Sequence, residues 1–188
     1  MTMAIIGQST YIFVIAILSL SLLKKLSAPQ HLQDSLAHYG HSFGLSRFSS
    51  PRLMSILIVS AELAVLITLI LRFPYWMWFA SALFSAYGLA LVFTLSRHRS
   101  EFFDCGCSLF SSTHAGAEPI WWMASRPILL IAAVLIAGFT TNSPDELSLT
   151  NIFMSSLMGG FFIAAYLTLD FLTATLLSNH WNKEASHV

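Results

Sequence analysis

Residues 53–71 read LMSILIVSAELAVLITLIL. The run is apolar throughout except for one carboxylate, Glu62, at its centre. At ~1.5 Å of helical rise per residue it is long enough to cross the ~30 Å hydrocarbon core of a bilayer. A charge at the middle of such a span is costly. It therefore has to face the interior of a bundle and meet a partner there. The stretch thus implies a membrane-crossing helix that does not stand alone.

The rest of the chain supports that reading. Of 188 residues, 56% are hydrophobic and 10% charged, where a soluble domain carries about 25% charged residues. The mean hydropathy is +0.71. The formal net charge is +0, which leaves no electrostatic case for nucleic acid. The sequence contains no Gly-rich phosphate loop, no paired-His zinc signature and no nucleophile elbow. It identifies no cofactor-binding residue, no metal site and no electron acceptor.

Upstream, residues 4–23 form another apolar run, followed by Lys24 and Lys25 and preceded by no positive charge. That order reads as a retained anchor, not a cleaved signal peptide. Residues 24–52 form a polar connection in which His31, Asp34, His38 and His41 share one face of a helix. Nothing nearby supplies soft or clustered ligands, so a solvated helix face accounts for them better than a metal site. Gly40, Gly44 and Ser49-Ser50-Pro51 break that helix. Downstream, Arg72-Phe73-Pro74-Tyr75-Trp76 makes a tight turn with interfacial aromatics. Further spans cover about 75–95, 120–139 and 152–177. The expected fold is all-α: a polytopic membrane helix bundle of five spans in a single integral membrane domain, 1–188. Ala82-Ala86-Ala90 and Ser156-Gly160-Ala164 repeat every four residues and are expected to be buried against neighbouring helices.

Five spans place the N-terminus, the Arg72 turn and the Asp145 turn on one side, and the 24–52 connection, the 96–119 loop and the tail on the other. Arg72 is the only Lys or Arg on the first side. The second has Lys24, Lys25, Arg47, Arg52, Arg97, Arg99, Arg126 and Lys183. The positive-inside rule makes that second side cytoplasmic.

The 96–119 loop holds the only two cysteines, in Asp104-Cys105-Gly106-Cys107. Two cysteines cannot build a disulfide framework, but they can form one redox pair. A Cys-X-Cys bridge closes a small strained ring, Gly106 relaxes its backbone, and a strained bond is easily reduced. Arg97, Arg99 and nearby histidines favour a thiolate, while Glu101 and Asp104 oppose it. Asp104 or His114 could relay a proton, although solvated loop residues would look the same.

Three charges lie inside spans at similar depths from the cysteine side. At the helical rise, Arg126 is ~9 Å in from Ile120, Asp170 ~10 Å in from Leu177 and Glu62 ~14 Å in from Leu53. Arg126 is expected to pair with Asp170, Glu62 or both, as a structural ion pair or a proton-handling network.

These features together resemble the methylamine utilisation protein MauE family, within the wider group of DoxX-like redox-associated membrane proteins. Lys24-Lys25-Leu26 closes the first span, and Ser60-Ala61-Glu62-Leu63 places an acid in the second. Asp104-Cys105-Gly106-Cys107 follows the third, and Arg126 precedes the Leu-rich part of the fourth. Ser108-Leu109-Phe110 stands where the family often has Phe-Gly. The resemblance implies a multi-pass protein of the bacterial inner membrane that assists maturation of the methylamine dehydrogenase small subunit. That client is periplasmic, disulfide-rich and carries a tryptophan-derived quinone. A thioredoxin-like, MauD-like partner is implied beside it, with Cys105 and Cys107 as the redox pair. Such a role suits a periplasmic cysteine loop, against the charge tally. Two other readings fit the sequence: a non-enzymatic membrane assembly factor, and a small transporter using Glu62, Arg126 and Asp170 as a polar path.

Overall fold

The computed structural model describes residues 2–42, 50–97, 120–141 and 149–185. They form six helices: α1 (Thr2–Ser27), α2 (Pro29–Ser42), α3 (Pro51–Ile70), α4 (Trp76–Arg97), α5 (Ile120–Thr141) and α6 (Leu149–Ala185). Among the described residues there is no strand. Four helices contain stretches long and apolar enough to cross a membrane: Ile5–Ser27, Pro51–Ile70, Trp76–Phe93 and Thr150–Leu172. Ser125–Thr140 adds a shorter apolar stretch. The protein is an all-α polytopic membrane bundle.

α1 is the hub. It packs against α2, α3, α5 and α6, and α4 completes the bundle by packing on α3 and α5. Half of the apolar window of α1 is buried, against 22% in α3 and α4 and 17% in α6. Tyr11, Val14, Leu18 and Leu22 make its buried stripe, at the spacing expected of one helix face. Val65, Leu69, Ala80, Phe84, Val134 and Ala137 belong to the same buried core. Large apolar side chains such as Leu57, Trp78, Leu89, Ile128, Phe139 and Phe161 point outward. In water such a surface would aggregate; in a bilayer it is the face that lipid covers.

Several hydroxyl groups inside the spans return their hydrogen bonds to their own helix. Ser9 donates to the Ile5 carbonyl at 2.6 Å, Thr10 to Ile6 at 2.9 Å and Ser19 to Ile15 at 2.8 Å. These side chains thereby satisfy their donors without water.

Ser50 and Pro51 start a helix; α2 runs through Gly40 and its described residues end at Ser42. Ser50 caps α3, its hydroxyl accepting from the Leu53 amide at 3.3 Å, and Pro51 takes the first helical position, where no amide is needed. At the other end Arg72 adopts φ 49. Its amide donates to the Leu69 carbonyl and the Phe73 amide to the Thr68 carbonyl, both at 3.0 Å. These are the two bonds of a Schellman motif, with arginine in the left-handed position usually given to glycine. The Arg72 guanidinium lies 5.4 Å from the Tyr11 ring centroid. The Tyr11 hydroxyl donates to the same Leu69 carbonyl, so α1 holds the turn from the side.

The small-residue stripes are not where the sequence placed them. Ala82, Ala86, Ser156, Gly160 and Ala164 are exposed, and a Cβ added at Gly160 would meet nothing within 4 Å. On α6 the packed face lies one residue earlier, through Ser155, Gly159, Tyr166 and Asp170. A Cβ on Gly159 would come within 3.2 Å of Ile12 and of the Ser9 carbonyl, so this glycine sets the approach of α6 to α1. Both registers contain small residues, but only one also carries the polar side chains that need burial.

Candidate functional site

The charge inside residues 53–71 does find a partner, but on the first helix. Lys25 continues the buried stripe of α1 and is 5% exposed, while its neighbour Lys24 is only half-buried. Its ammonium makes a short salt bridge to Glu62 Oε1. On α4, Tyr87 continues the buried line of Ala80 and Phe84, and its hydroxyl donates to the same Oε1 at 2.6 Å. Lys25 Nζ also lies 3.4 Å from Tyr87 Oη and 5.0 Å from the ring centroid. Three helices thus each contribute one titratable group to one cluster. Glu62 is 1% exposed, and among the described residues no donor reaches its Oε2.

A second cluster joins α5 to α6. Arg126 Nη2 lies 2.5 Å from Asp170 Oδ1, and both side chains are 1% exposed. The expected pairing of Arg126 with Asp170 is therefore formed, whereas Glu62 is taken by Lys25 and Tyr87. Gly88, next to Tyr87, lies against Pro127, next to Arg126: a Cβ on Gly88 would sit 3.5 Å from that of Pro127. The two clusters thus share one level of the bundle, towards the end from which α2 departs. Each of the five longer helices supplies one member. Removing a partner from such a buried pair strands a charge, which makes the layer a strong constraint on helix register.

Lys25 and Tyr87 were not singled out in the sequence as members of the site. Lys25 reads as a charge closing a span, and Tyr87 as one aromatic among many. The signal lies in register: Lys25 falls fourteen residues after Tyr11, Tyr87 seven after Ala80, each on the buried stripe of its helix. Two of the basic residues that favour a cytoplasmic cysteine side, Lys25 and Arg126, are thus interior ion-pair members and not loop charges.

The polar-path expectation asks that Glu62 line a continuous cavity; its side chain is buried and bonded to Lys25 and Tyr87. On α2, Asp34 is exposed; the side chains of His31, His38 and His41 lie outside the described residues. Asp104, Cys105, Cys107 and His114 lie outside the described residues.

A family model described as methylamine utilisation protein MauE matches residues 3–140. The matched region contains Lys25, Glu62, Tyr87, Arg126 and both cysteines; Asp170 lies beyond it. Neither a curated protein nor a solved structure matches the chain.

Proposed function

The chain belongs to the methylamine utilisation protein MauE family, and from that premise we propose that it matures the methylamine dehydrogenase small subunit by thiol–disulfide exchange at Cys105 and Cys107. The family makes it an accessory membrane protein of methylamine utilisation. The finer reading places it in the bacterial inner membrane with a thioredoxin-like, MauD-like partner. The observation that carries this reading is that the family match spans the loop holding the only two thiols of the chain.

The exchange balances as follows. A client thiolate attacks one sulfur of the Cys105–Cys107 disulfide, that S–S bond breaks, and the departing thiolate takes a proton. The client's second thiolate then displaces the mixed disulfide. The client loses two electrons, and the Cys105–Cys107 pair gains them. The disulfide of the thioredoxin-like partner takes them in turn and restores the pair. Only a thiolate attacks, so both sulfurs need access to the aqueous phase.

The test uses Cys105→Ser, Cys107→Ser and the double variant in cells making the client. Each is expected to abolish client maturation while the membrane protein stays folded. A single-serine variant should trap a mixed disulfide with the partner or client. Normal maturation in the double variant would overturn the reading in favour of an assembly factor. An impermeant thiol reagent applied to whole cells and to inverted vesicles fixes the side: labelling in whole cells supports the periplasmic role, labelling only in inverted vesicles the charge tally.

A further inference from the structure

We propose that Arg72, held on the Tyr11 ring at the α3–α4 turn, is a binding site for the phosphodiester of a membrane phospholipid. The site is independent of the chemistry assigned to the cysteines, whose loop leaves the other end of α4.

The turn carries a side chain that its backbone does not call for. Arg72 takes φ 49, and among the described residues it is the one non-glycine with positive φ. Glycine adopts that conformation without the clash a Cβ brings, and the two Schellman bonds use backbone atoms alone. What arginine adds is a guanidinium, and the structure fixes where it sits. It lies 5.4 Å from the Tyr11 ring centroid. Tyr11 is itself held twice: its hydroxyl donates to the Leu69 carbonyl, and its ring meets that of Trp76 edge-on at 5.3 Å. Tyr11 and Trp76 are buried, whereas Arg72 is exposed. An aromatic ring covers one face of a guanidinium, and the N–H donors radiate in the guanidinium plane. The cation is thus supported from the protein side while its fork stays open to the outside.

The surroundings define the ligand. α3 has 20 residues and leads directly into the turn. Arg72 therefore stands about 30 Å from the start of the span, at the headgroup level of one membrane face. Phe73, Tyr75 and Trp78 are exposed beside it, aromatic residues of the kind that settle at this level. Below it Ile67, Ile70 and Leu71 share an exposed apolar face of α3, where acyl chains run. A cation above an apolar wall matches a phosphate above an acyl chain. The planar fork of arginine takes a phosphate through two parallel N–H···O bonds. The carboxylates of the described spans are engaged elsewhere, Glu62 with Lys25 and Asp170 with Arg126. Arg72 is the only Lys or Arg the sequence gives this side, so no second such side chain competes for the phosphate. Asp145 and Glu146 belong to the same side by sequence and lie outside the described residues.

The test is native mass spectrometry of the full chain released from nanodiscs of phosphatidylethanolamine and phosphatidylglycerol. The parent should retain about one phospholipid per chain more than Arg72→Gln. Equal retention would overturn the proposal. Arg72→Gly separates the ligand from the turn, because glycine suits the backbone and lacks the guanidinium. Retention should fall as in Arg72→Gln while the thermal midpoint holds or rises. A lowered midpoint with unchanged retention would leave arginine serving the turn alone. Nanodiscs of a phosphate-free diacylglycerol glycolipid should show no difference between parent and Arg72→Gln; the same difference there would mean that acyl chains, not phosphate, are held. Inorganic phosphate at millimolar concentration should not displace the retained lipid, and displacement would assign the site to the free anion. A retention difference that appears only once Asp145→Asn and Glu146→Gln are introduced would show that a carboxylate of the chain occupies Arg72, which also overturns the proposal.

Discussion

The two buried charge clusters contain similar parts and have different chemistry. Arg126–Asp170 joins a carboxylate to a cation that does not deprotonate in proteins. Lys25–Glu62–Tyr87 joins a carboxyl to two groups that can give up a proton. Both are almost free of solvent. One therefore acts as a clamp between α5 and α6, the other as a three-way junction among α1, α3 and α4. A bundle in lipid gains little from hydrophobic attraction between its helices. A clamp and a junction at one level provide directional contacts instead.

The widest separation between the clusters should come from removing each acid in turn. Asp170→Asn strands a guanidinium that has no neutral form, and we expect a loss of about 3–5 kcal/mol in reversible unfolding from mixed micelles. Glu62→Gln strands an amine that can shed its proton, and the loss should be nearer 2 kcal/mol, about that of one unsatisfied buried polar group. Equal losses would erase the distinction between clamp and junction. Tyr87→Phe comes next. Its hydroxyl donates to the Glu62 carboxylate, and losing that bond should cost about 1.5–3 kcal/mol in the same unfolding assay. The smallest effect belongs to the helix faces. Gly160→Ala should change stability by no more than about 0.5 kcal/mol, while Gly159→Ala, forced against Ile12 and the Ser9 carbonyl, should cost about 1 kcal/mol or more. A larger loss at Gly160 than at Gly159 would reverse the assigned packing face of α6.

Much of this architecture can be read from hydropathy, because lipid dictates helices wherever an apolar run is long enough. Equal depth along the spans offers Arg126 two acids, Asp170 and Glu62, and does not choose between them. Depth does not find the partner of Glu62, because Lys25 does not read as an interior charge. Lys25 sits at a span end, where a long side chain is usually taken to reach the interface. Its buried stripe shows otherwise, but that stripe is defined by what packs on it, and this requires the fold. The small-residue stripes failed for a related reason. Spacing by four is satisfied by Ser155-Gly159 as well as by Ser156-Gly160, and sequence alone does not choose between faces 100° apart. The cysteine pair rests on a signal of another kind, exclusivity, which needs no geometry.

The central place of the first helix has a consequence for how the protein is made. Ribosomes deliver α1 to the membrane before anything it will touch, and its Lys25 then waits for Glu62 on the next span. Arg126 waits in the same way until Asp170, on the final helix, is synthesised and α6 returns to lie along α1. Every span but α4 is thus received by a surface laid down at the start, and the last arrival closes the layer. A nascent chain stalled after residue 141 would contain the whole family-matched segment and still lack Asp170, the carboxylate that Arg126 meets in the finished bundle. Membrane quality control that senses intramembrane charge would therefore discriminate finished from unfinished copies at the Arg126–Asp170 pair.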